Sequence, residues 1–375
     1  MKLALPLRPS FFKRFFLPGF AFKAVVIGGG YATGRELAEF FLPSGPWGGV
    51  FGMLLAMACW SLVCSVTFLF ARTTRSFEYG EFFRVLLGPA WFVFDLAYGC
   101  FVLIILSVFG AAAGAIGAAV FGWPEFAGTL GLVAGIATVA AFGSDSVERL
   151  FKYVTYFLYT VYAVFVIVAV IHSSDRIVAN FGTSHPTTGW ALGGITYAGY
   201  NVVGAVVILP VLRHLTSGRD AVIAGLLAGP LAMLPAVLFY VCMVAYYPEI
   251  TSVTLPSDYI LTHLHTPVLH VVFQMMILAA LLESGTGAVH AVNQRIANVL
   301  LARGRSLSTV GRLGLSAAVL ILAVFVATKF GLVALIARGY RALAYLFIAV
   351  YVVPLLTYGV WLRSRRPQPA GAMSQ

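Results

Sequence analysis

Charge is scarce in this 375-residue chain, in which Asp, Glu, Lys and Arg make up 10% of the residues and hydrophobic residues 61%. A soluble domain has about 25% charged residues, so the composition excludes an ordinary water-exposed surface. Cysteine is also rare, and each of the four falls in an apolar stretch, so no disulfide framework is predicted: Cys59, Cys64, Cys100 and Cys242.

The sequence patterns of several enzyme classes are missing as well. There is no Walker A pattern for direct use of ATP, and neither HExxH nor GxSxG occurs. The glycine run at 28–30 is not a dinucleotide fingerprint, because Thr33 stands where the third glycine is needed and no strand precedes it. A membrane enzyme is therefore the weakest of the functional alternatives.

Apolar stretches recur along the whole chain, and each is close to the roughly 20 residues that cross a bilayer as a helix. They predict an all-α integral membrane protein, with residues 1–375 forming a single transmembrane domain of about ten spans. The predicted spans are 15–42, 48–71, 89–118, 125–142, 150–171, 190–212, 220–247, 267–300, 310–328 and 341–362.

Most Lys and Arg residues outside the spans fall on the side of the N-terminus. Only four fall on the other side: Arg176, Lys329, Arg338 and Arg341. The positive-inside rule then predicts a multi-pass protein of the cell (inner) membrane with both termini cytoplasmic, including the tail 363–375. Since lipid headgroups account for the basic ends, no nucleic-acid partner is predicted.

Two glycine-rich segments, 28–34 (GGGYATG) and 193–199 (GGITYAG), lie at corresponding places in the two halves of the chain. Ten spans divide into five and five, which predicts an inverted repeat with halves 11–171 and 190–362. Paired interruptions of this kind mark the binding site of secondary transporters. We therefore expect the first and sixth helices to be broken at these glycines. A glycine-rich packing face without a ligand is the alternative.

Three further motifs occur in order: 27–37 (IGGGYATGREL), 197–201 (YAGYN) and 283–287 (ESGTG), the last followed by 293–296 (NQRI). Together they resemble the YkvI-type membrane proteins of the amino acid–polyamine–organocation superfamily. The resemblance implies a leucine-transporter-like fold, with substrate held between helices one, three, six and eight. Arg35 departs from the first motif, which usually has Gln there, and this changes the charge at the outer mouth.

A broken helix offers free N–H groups at one end and free carbonyls at the other, which suits a zwitterion or another small polar solute. Polar side chains of the second segment would complete the site, although helix–helix hydrogen bonding is an alternative role for them. The predicted substrate-binding residues are Gly28, Gly29, Gly30, Thr33, Thr196, Tyr197, Tyr200 and Asn201.

Glu283 lies near the middle of the eighth span, where a carboxylate is costly and therefore a functional candidate. We predict that it couples transport to Na⁺ or H⁺, with Ser284 and Thr286 beside it. Lys23 is its alternative partner, or a substitute for a coupling ion. Asp95, early in the third span, is a weaker candidate.

Gating residues are predicted just outside the first glycine run. Arg35 and Glu39 are four residues apart on one helix, which favours an ion pair between them. Glu36 is then left as the freer acid, facing the outer path with a gating or ion-binding role.

The function predicted from these features is a secondary active transporter of a small amino-acid-like or amine solute. It would work by alternating access and couple to Na⁺ or H⁺, without a further cofactor or a resident metal. It would act in the lipid bilayer as a monomer or homodimer. A solute-sensing receptor or a channel with the same fold remains open as the alternative.

Overall fold

The computed structural model describes residues 10–27, 29–141, 144–301 and 304–365, and its side-chain surroundings leave out 29–30, 141–153 and 363–365. All regular structure in these ranges is helical. The α-helices are α1 (Phe11–Phe15), α2 (Leu17–Val26), α3 (Gly29–Ala32), α4 (Arg35–Phe40), α5 (Gly45–Thr74), α6 (Tyr79–Leu87), α7 (Trp91–Phe121), α8 (Glu125–Ala141), α9 (Ser144–Gly182), α10 (Trp190–Asn201), α11 (Gly204–Val207), α12 (Gly218–Val244), α13 (Pro256–His263), α14 (Pro267–Leu301), α15 (Thr309–Ala334), α16 (Arg341–Phe347) and α17 (Val360–Arg365).

Shorter helical turns join several of these helices. The 3₁₀ turns are Leu42–Ser44, Gly88–Ala90, Leu209–His214 and Glu249–Ser252, and the π-helical turns are Leu335–Tyr340, Ile348–Val352 and Leu355–Gly359. Within the described residues, six segments are long and apolar enough to cross a membrane: Arg35–Thr74, Tyr79–Phe121, Val154–Gly182, Gly218–Val244, Pro267–Leu301 and Thr309–Leu362. Shorter apolar helices are Leu17–Val26 and Glu125–Ala140.

The last and longest apolar segment covers two of the predicted spans, 310–328 and 341–362. Its helical backbone is interrupted at Gly331, where φ is +71° and ψ is 168°. A positive φ is costly for residues other than glycine, so this residue allows the bend between the two parts. The sequence-based division into separate spans corresponds to this bend.

The long helices pack in two sets. In the first, which we call the α5 group, α5 packs against α10 and α12, and α2 packs on α12. In the second, the α7 group, α7 packs with α8, α14 and α15. The short helix α3 contacts α7 and α14 and therefore belongs to the α7 group. Its neighbours in sequence, α2 and α4, pack with helices of the α5 group.

Glycines allow the closest contacts inside each group. A Cβ on Gly225 of α12 would lie 2.3 Å from Ser65 Cα of α5, and one on Gly229 would lie 2.3 Å from Met57 O. In the other group, a Cβ on Gly114 would lie 2.5 Å from Glu125 O. Gly225 and Gly229, which are four residues apart, and Gly114 therefore serve helix packing within the chain, as small residues commonly do in membranes.

The N-terminal helix is fastened to the start of α12. Arg14 donates two hydrogen bonds to Asp220, from Nε at 2.9 Å and from Nη2 at 2.8 Å. Asp220 also forms a capping box with Ser217, the residue before α12. The connection between α12 and α14 contains the short helix α13 (Pro256–His263).

Candidate functional site

The first glycine motif coincides with an interruption of the helix. α2 ends at Val26, and Ile27 leaves helical geometry with φ −76° and ψ 79°. The chain resumes as α3, and Gly34, with φ +79°, then precedes α4. Of the predicted substrate residues here, Gly29 and Gly30 open α3, whereas Gly28 lies outside the described residues.

The prediction of a second break within the glycine motif 193–199 is wrong, because α10 runs without interruption from Trp190 to Asn201. Its glycines serve close packing instead. A Cβ on Gly193 would lie 2.0 Å from Phe40 O, and one on Gly194 would lie 2.5 Å from Gly52 O. Since both contacts are with backbone atoms, any side chain at these positions would push α10 away from α4 and α5.

The second segment changes its helical hydrogen-bonding pattern after its polar residues, while Val202 and Val203 keep helical dihedral angles. Residues 202–203 form a turn between α10 and the four-residue α11, and a 3₁₀ turn follows at Leu209–His214. The predicted site residues of this segment lie in the last two turns of α10, and all are buried: Thr196, Tyr197, Tyr200 and Asn201.

Two of these residues form a polar layer just before the turn. Asn201 Nδ2 donates to Tyr197 O at 3.1 Å. The Tyr197 hydroxyl is buried without a hydrogen-bond partner. This hydroxyl is therefore a free hydrogen-bond donor near the end of α10.

Aromatic rings surround this layer. Tyr197 lies edge-on to Phe41, with centroids 4.8 Å apart, and is tilted against Trp60 at 5.5 Å. Trp60 Nε1 donates to Ala198 O at 3.2 Å. Tyr200 packs on Tyr340, with ring centroids 4.4 Å apart. The end of α10 is therefore held in an aromatic core that it shares with α4, α5 and the π-helical turn Leu335–Tyr340.

Glu36 belongs to this core and not to the outer path, which corrects the sequence-based prediction. Its side chain is 4% exposed, and it accepts a hydrogen bond from the Tyr200 hydroxyl. Consecutive residues of an α-helix point in different directions, so Glu36 faces Tyr200 of α10 while Arg35 faces Glu39 and the connection before α13.

Arg35 makes the predicted ion pair with Glu39, at 2.8 Å between Nη2 and Oε2. Its other guanidinium nitrogen, Nη1, donates to Thr251 O at 2.9 Å and to Val253 O at 2.8 Å. These carbonyls lie in and beside the turn Glu249–Ser252. Arg35 therefore fastens α4 to the connection before α13.

Thr33 belongs to the same contact between the start of α4 and the connection at α13. Its backbone carbonyl accepts a hydrogen bond from Ser257 N at 3.0 Å, and its hydroxyl accepts one from Arg35 N at 3.3 Å. Thr33 and Ser257 are both fully buried. The predicted site residue Thr33 is thus engaged with the helical cap α13 in this conformation.

The predicted coupling residues lie on α14. Glu283 and Ser284 are half-buried, and Thr286 is fully buried with its hydroxyl unpartnered. α14 packs against α3, which brings this helix to the first interruption. Lys23 and Glu283 do not form an ion pair; the Lys23 ammonium lies over the ring of Tyr159, 4.3 Å from its centroid.

A cavity of about 320 Å³ opens beside the first interruption. Lys23, Ile27 and Tyr31 line it along the first helical segment, and Tyr162 and Pro235 line it from α9 and α12. It gives access to the region of α3 from the side on which α2 lies.

A polar cluster that we did not predict as a unit links α6, α7 and α14. Asp95 accepts hydrogen bonds from the Tyr79 hydroxyl and from Arg295 Nη2. The Arg295 guanidinium lies 3.5 Å from the ring centroid of Tyr79 and 5.0 Å from that of Tyr98. Asp95 and Arg295 are 200 positions apart in sequence. The one sequence signal that could have paired them is their opposite charge within predicted spans.

Within the residues that the structure describes, no three or more His, Cys, Asp or Glu side chains lie together as a metal site. The polar atoms available at the interruptions are hydroxyls, carbonyls and isolated carboxylates. These groups suit a small organic solute or a hard monovalent cation rather than a tightly held transition metal.

Several solved structures with similar folds are membrane transporters. MhsT in complex with L-phenylalanine has a TM-score of 0.57 at 15% identity, covering 94% of both chains. A substrate-bound Na⁺-coupled sialic acid symporter has a TM-score of 0.60 at 12% identity, covering 95% of this chain and 82% of that one. The manganese transporter of Eremococcus coleocola has a TM-score of 0.52 at 15% identity, covering 95% and 83%.

These similarities give the chain the fold of the leucine-transporter-like membrane transporters. The uncharacterized membrane protein YkvI of Bacillus subtilis (strain 168) is 22% identical over 282 residues, which cover 75% of this chain and 80% of that protein. The resemblance noted from the sequence motifs is therefore confirmed. No protein-family model matches the chain.

Proposed function

We propose that this protein is a secondary active transporter of a small amino-acid-like or amine solute. The observation that carries the proposal is the position of α3. This four-residue helix lies at the first interruption and contacts α7 and α14, while α2 on one side and α4 on the other pack with helices of the α5 group. A ligand held at α3 would thus lie where the two groups meet.

In this proposal the two interrupted segments are the broken first and sixth helices of a 5+5 inverted repeat. The α5 group rocks against the α7 group, which exposes the site alternately to the two sides of the membrane. The protein lies in the inner membrane with both termini cytoplasmic, as the distribution of Lys and Arg favours. Arg35 and Glu39 then form the outer gate, which is closed in the present conformation.

The substrate site extends from Gly28, Gly29, Gly30 and Thr33 to the polar end of α10. Coupling to Na⁺ or H⁺ is assigned to Glu283, with Ser284 and Thr286 as neighbouring ligands and Lys23 nearby. The Na⁺-coupled sialic acid symporter among the structural relatives supports a coupling ion of this kind. The unpartnered hydroxyl of Thr286 is a further free oxygen ligand on α14.

The test is solute uptake into proteoliposomes under an imposed Na⁺ or H⁺ gradient, after ligands have been found by thermal stabilisation of the purified protein. We expect saturable uptake that one of the gradients drives. The Glu283→Gln variant should keep its thermal stability but lose the dependence on the gradient. Binding without uptake would indicate a sensor, and non-saturating conductance would indicate a channel. Either result would contradict the proposal.

A further inference from the structure

The cavity beside the first interruption opens toward lipid. Two residues of its lining, Ile167 on α9 and Leu234 on α12, are 58% and 59% exposed. They belong to the apolar segments Val154–Gly182 and Gly218–Val244, which are long enough to cross a membrane. Exposed apolar side chains on such helices meet acyl chains, so a molecule dissolved in the bilayer can enter the cavity from its side.

The other end of the cavity is closed by two buried tyrosines, Tyr31 of α3 and Tyr162 of α9. The Tyr162 hydroxyl donates to Pro235 O at 2.7 Å, whereas the Tyr31 hydroxyl makes no hydrogen bond within the described part of the chain. The walls between this end and the mouth are apolar, with Leu158 and Met276 among their residues. The cavity is therefore a dead end that suits a hydrocarbon chain.

A cation also belongs to this lining, namely Lys23 of α2. Its ammonium lies 4.3 Å from the ring centroid of Tyr159 and 5.7 Å from that of Phe20. Lys23 is half-buried, and none of the ion pairs among the described residues includes it. Glu283 of α14 is absent both from these ion pairs and from the lining.

The two rings attract the Lys23 ammonium but leave its charge uncompensated. A charge that is partly removed from water is costly unless an opposite charge accompanies it. An apolar cavity with one cation in its wall is therefore complementary to a molecule that combines a hydrocarbon chain with one negative charge.

The size and charge of the cavity narrow the class of this molecule. Its volume of about 320 Å³ lies at the lower end of the roughly 300–1,000 Å³ that small-molecule sites occupy, which favours one chain over two. A single ammonium matches a carboxylate, whereas a phosphate monoester carries about −1.5 to −2 charges at neutral pH.

We propose that this cavity binds a single-chain carboxylate amphiphile, of the fatty-acid type, which enters from the bilayer. Its carboxylate pairs with the Lys23 ammonium, and its chain runs along the apolar walls and leaves past Ile167 and Leu234 into the lipid. The inference concerns a ligand other than the transported solute, and it does not depend on the proposed transport function.

The test uses the full-length protein in nanodiscs of phosphatidylcholine and a palmitate analogue with a photoreactive diazirine on its chain. After illumination, the labelled peptides are located by mass spectrometry. We expect saturable labelling of α9 and α12 beside Ile167 and Leu234, and competition by unlabelled palmitate. Hexadecanol and hexadecylamine have the same chain without the negative charge, and they should compete at least about tenfold more weakly.

Lys23→Met removes the charge and keeps an unbranched side chain, so the apparent affinity for palmitate should fall about tenfold or more. Lys329→Met is the matched control, because that exposed ammonium also lies over two aromatic rings, those of Phe325 and Phe330. It should leave the affinity unchanged.

A second variant tests the cavity without altering its charge. Ala163 of α9 is exposed and lines the cavity, so Ala163→Trp should fill the space and abolish the saturable labelling. The Tm of each variant without ligand shows whether the fold is retained, and Ala163→Trp keeps the inference testable if Lys23→Met does not fold.

Three results would overturn the inference. The first is labelling that palmitate cannot saturate or that lies away from α9 and α12. The second is equal competition by hexadecanol and palmitate, or full palmitate affinity in a folded Lys23→Met protein, since either would remove the role of the charge. The third is displacement of the probe by phosphatidylglycerol as effectively as by palmitate, which would assign the cavity to a two-chain anionic lipid.

Discussion

The contact between α10 and α4 allows a direct test of why glycine occurs at 193. A Cβ at this position would lie 2.0 Å from Phe40 O, whereas real Cβ contacts are essentially never below 3.0 Å. Gly193→Ala must therefore separate the two helices by at least 1.0 Å, the difference between 3.0 and 2.0 Å. The obstructing atom is a backbone carbonyl, which cannot rotate away as a side chain can.

Inserting an extra methyl group into a well-packed core costs about 1–3 kcal/mol. Alanine recovers up to about 1 kcal/mol of this through its better helix propensity. Subtracting the full propensity gain leaves a net loss of about 0–2 kcal/mol, and the upper end applies here because the obstructing atom belongs to the backbone. The separation also shifts Phe40 from Tyr197, whose ring centroids are 6.1 Å apart, so ligand affinity should fall as well.

Gly131 of α8 provides the matched control, because a Cβ there meets nothing within 4 Å. Both variants are purified in the same detergent and their thermal unfolding is followed by intrinsic fluorescence. Gly193→Ala should have a lower Tm than wild type, and Gly131→Ala a Tm equal to or above it. If Gly193→Ala were as stable as Gly131→Ala, the packing explanation would be refuted.

Further predictions concern the cluster around Asp95 and the contacts of Arg35. Asp95→Asn leaves the Arg295 guanidinium without its carboxylate and should lower the free energy of unfolding by about 1–3 kcal/mol. Glu78→Gln, in a pair whose side chains are more than half exposed, should change it by less than about 1 kcal/mol. Equal effects in denaturation experiments would contradict a structural role for the half-buried cluster around Asp95. Arg35→Gln removes the hydrogen bonds to the connection before α13, so Ser257→Cys, introduced after removal of the native cysteines, should react with an impermeant maleimide in the Arg35→Gln background only. Equal labelling in both backgrounds would show that Arg35 does not hold the closure.

Local patterns predicted the features that depend on neighbouring residues in sequence. The Arg35–Glu39 ion pair follows from their four-residue spacing. The glycine run at 28–30 follows the end of α2 at Val26, and consecutive glycines carry a large entropic cost in a helix.

The predictions that were wrong concern residues whose role is set by contacts with another helix. Glycine spacing is the same whether a helix unwinds or approaches a neighbour, so Gly193 and Gly194 gave no sign that Phe40 O and Gly52 O lie against them. The burial of Glu36 results from its contact with Tyr200 of α10, a tertiary contact that sequence periodicity cannot represent. The actual turn at 202–203 contains two valines, Val202 and Val203, and no glycine marks it.

The distribution of close contacts explains how such a fold can move. Glycines bring backbones together within each packing group, as Gly225 does between α12 and α5 and Gly114 between α7 and α8. Backbone contacts of this kind do not slide, because neither partner can change rotamer. The site, by contrast, meets its surroundings through aromatic rings such as Tyr200 on Tyr340 and through the short helix α3. Rings can separate while each group stays rigid, so a ligand that binds among them is positioned to shift one group against the other.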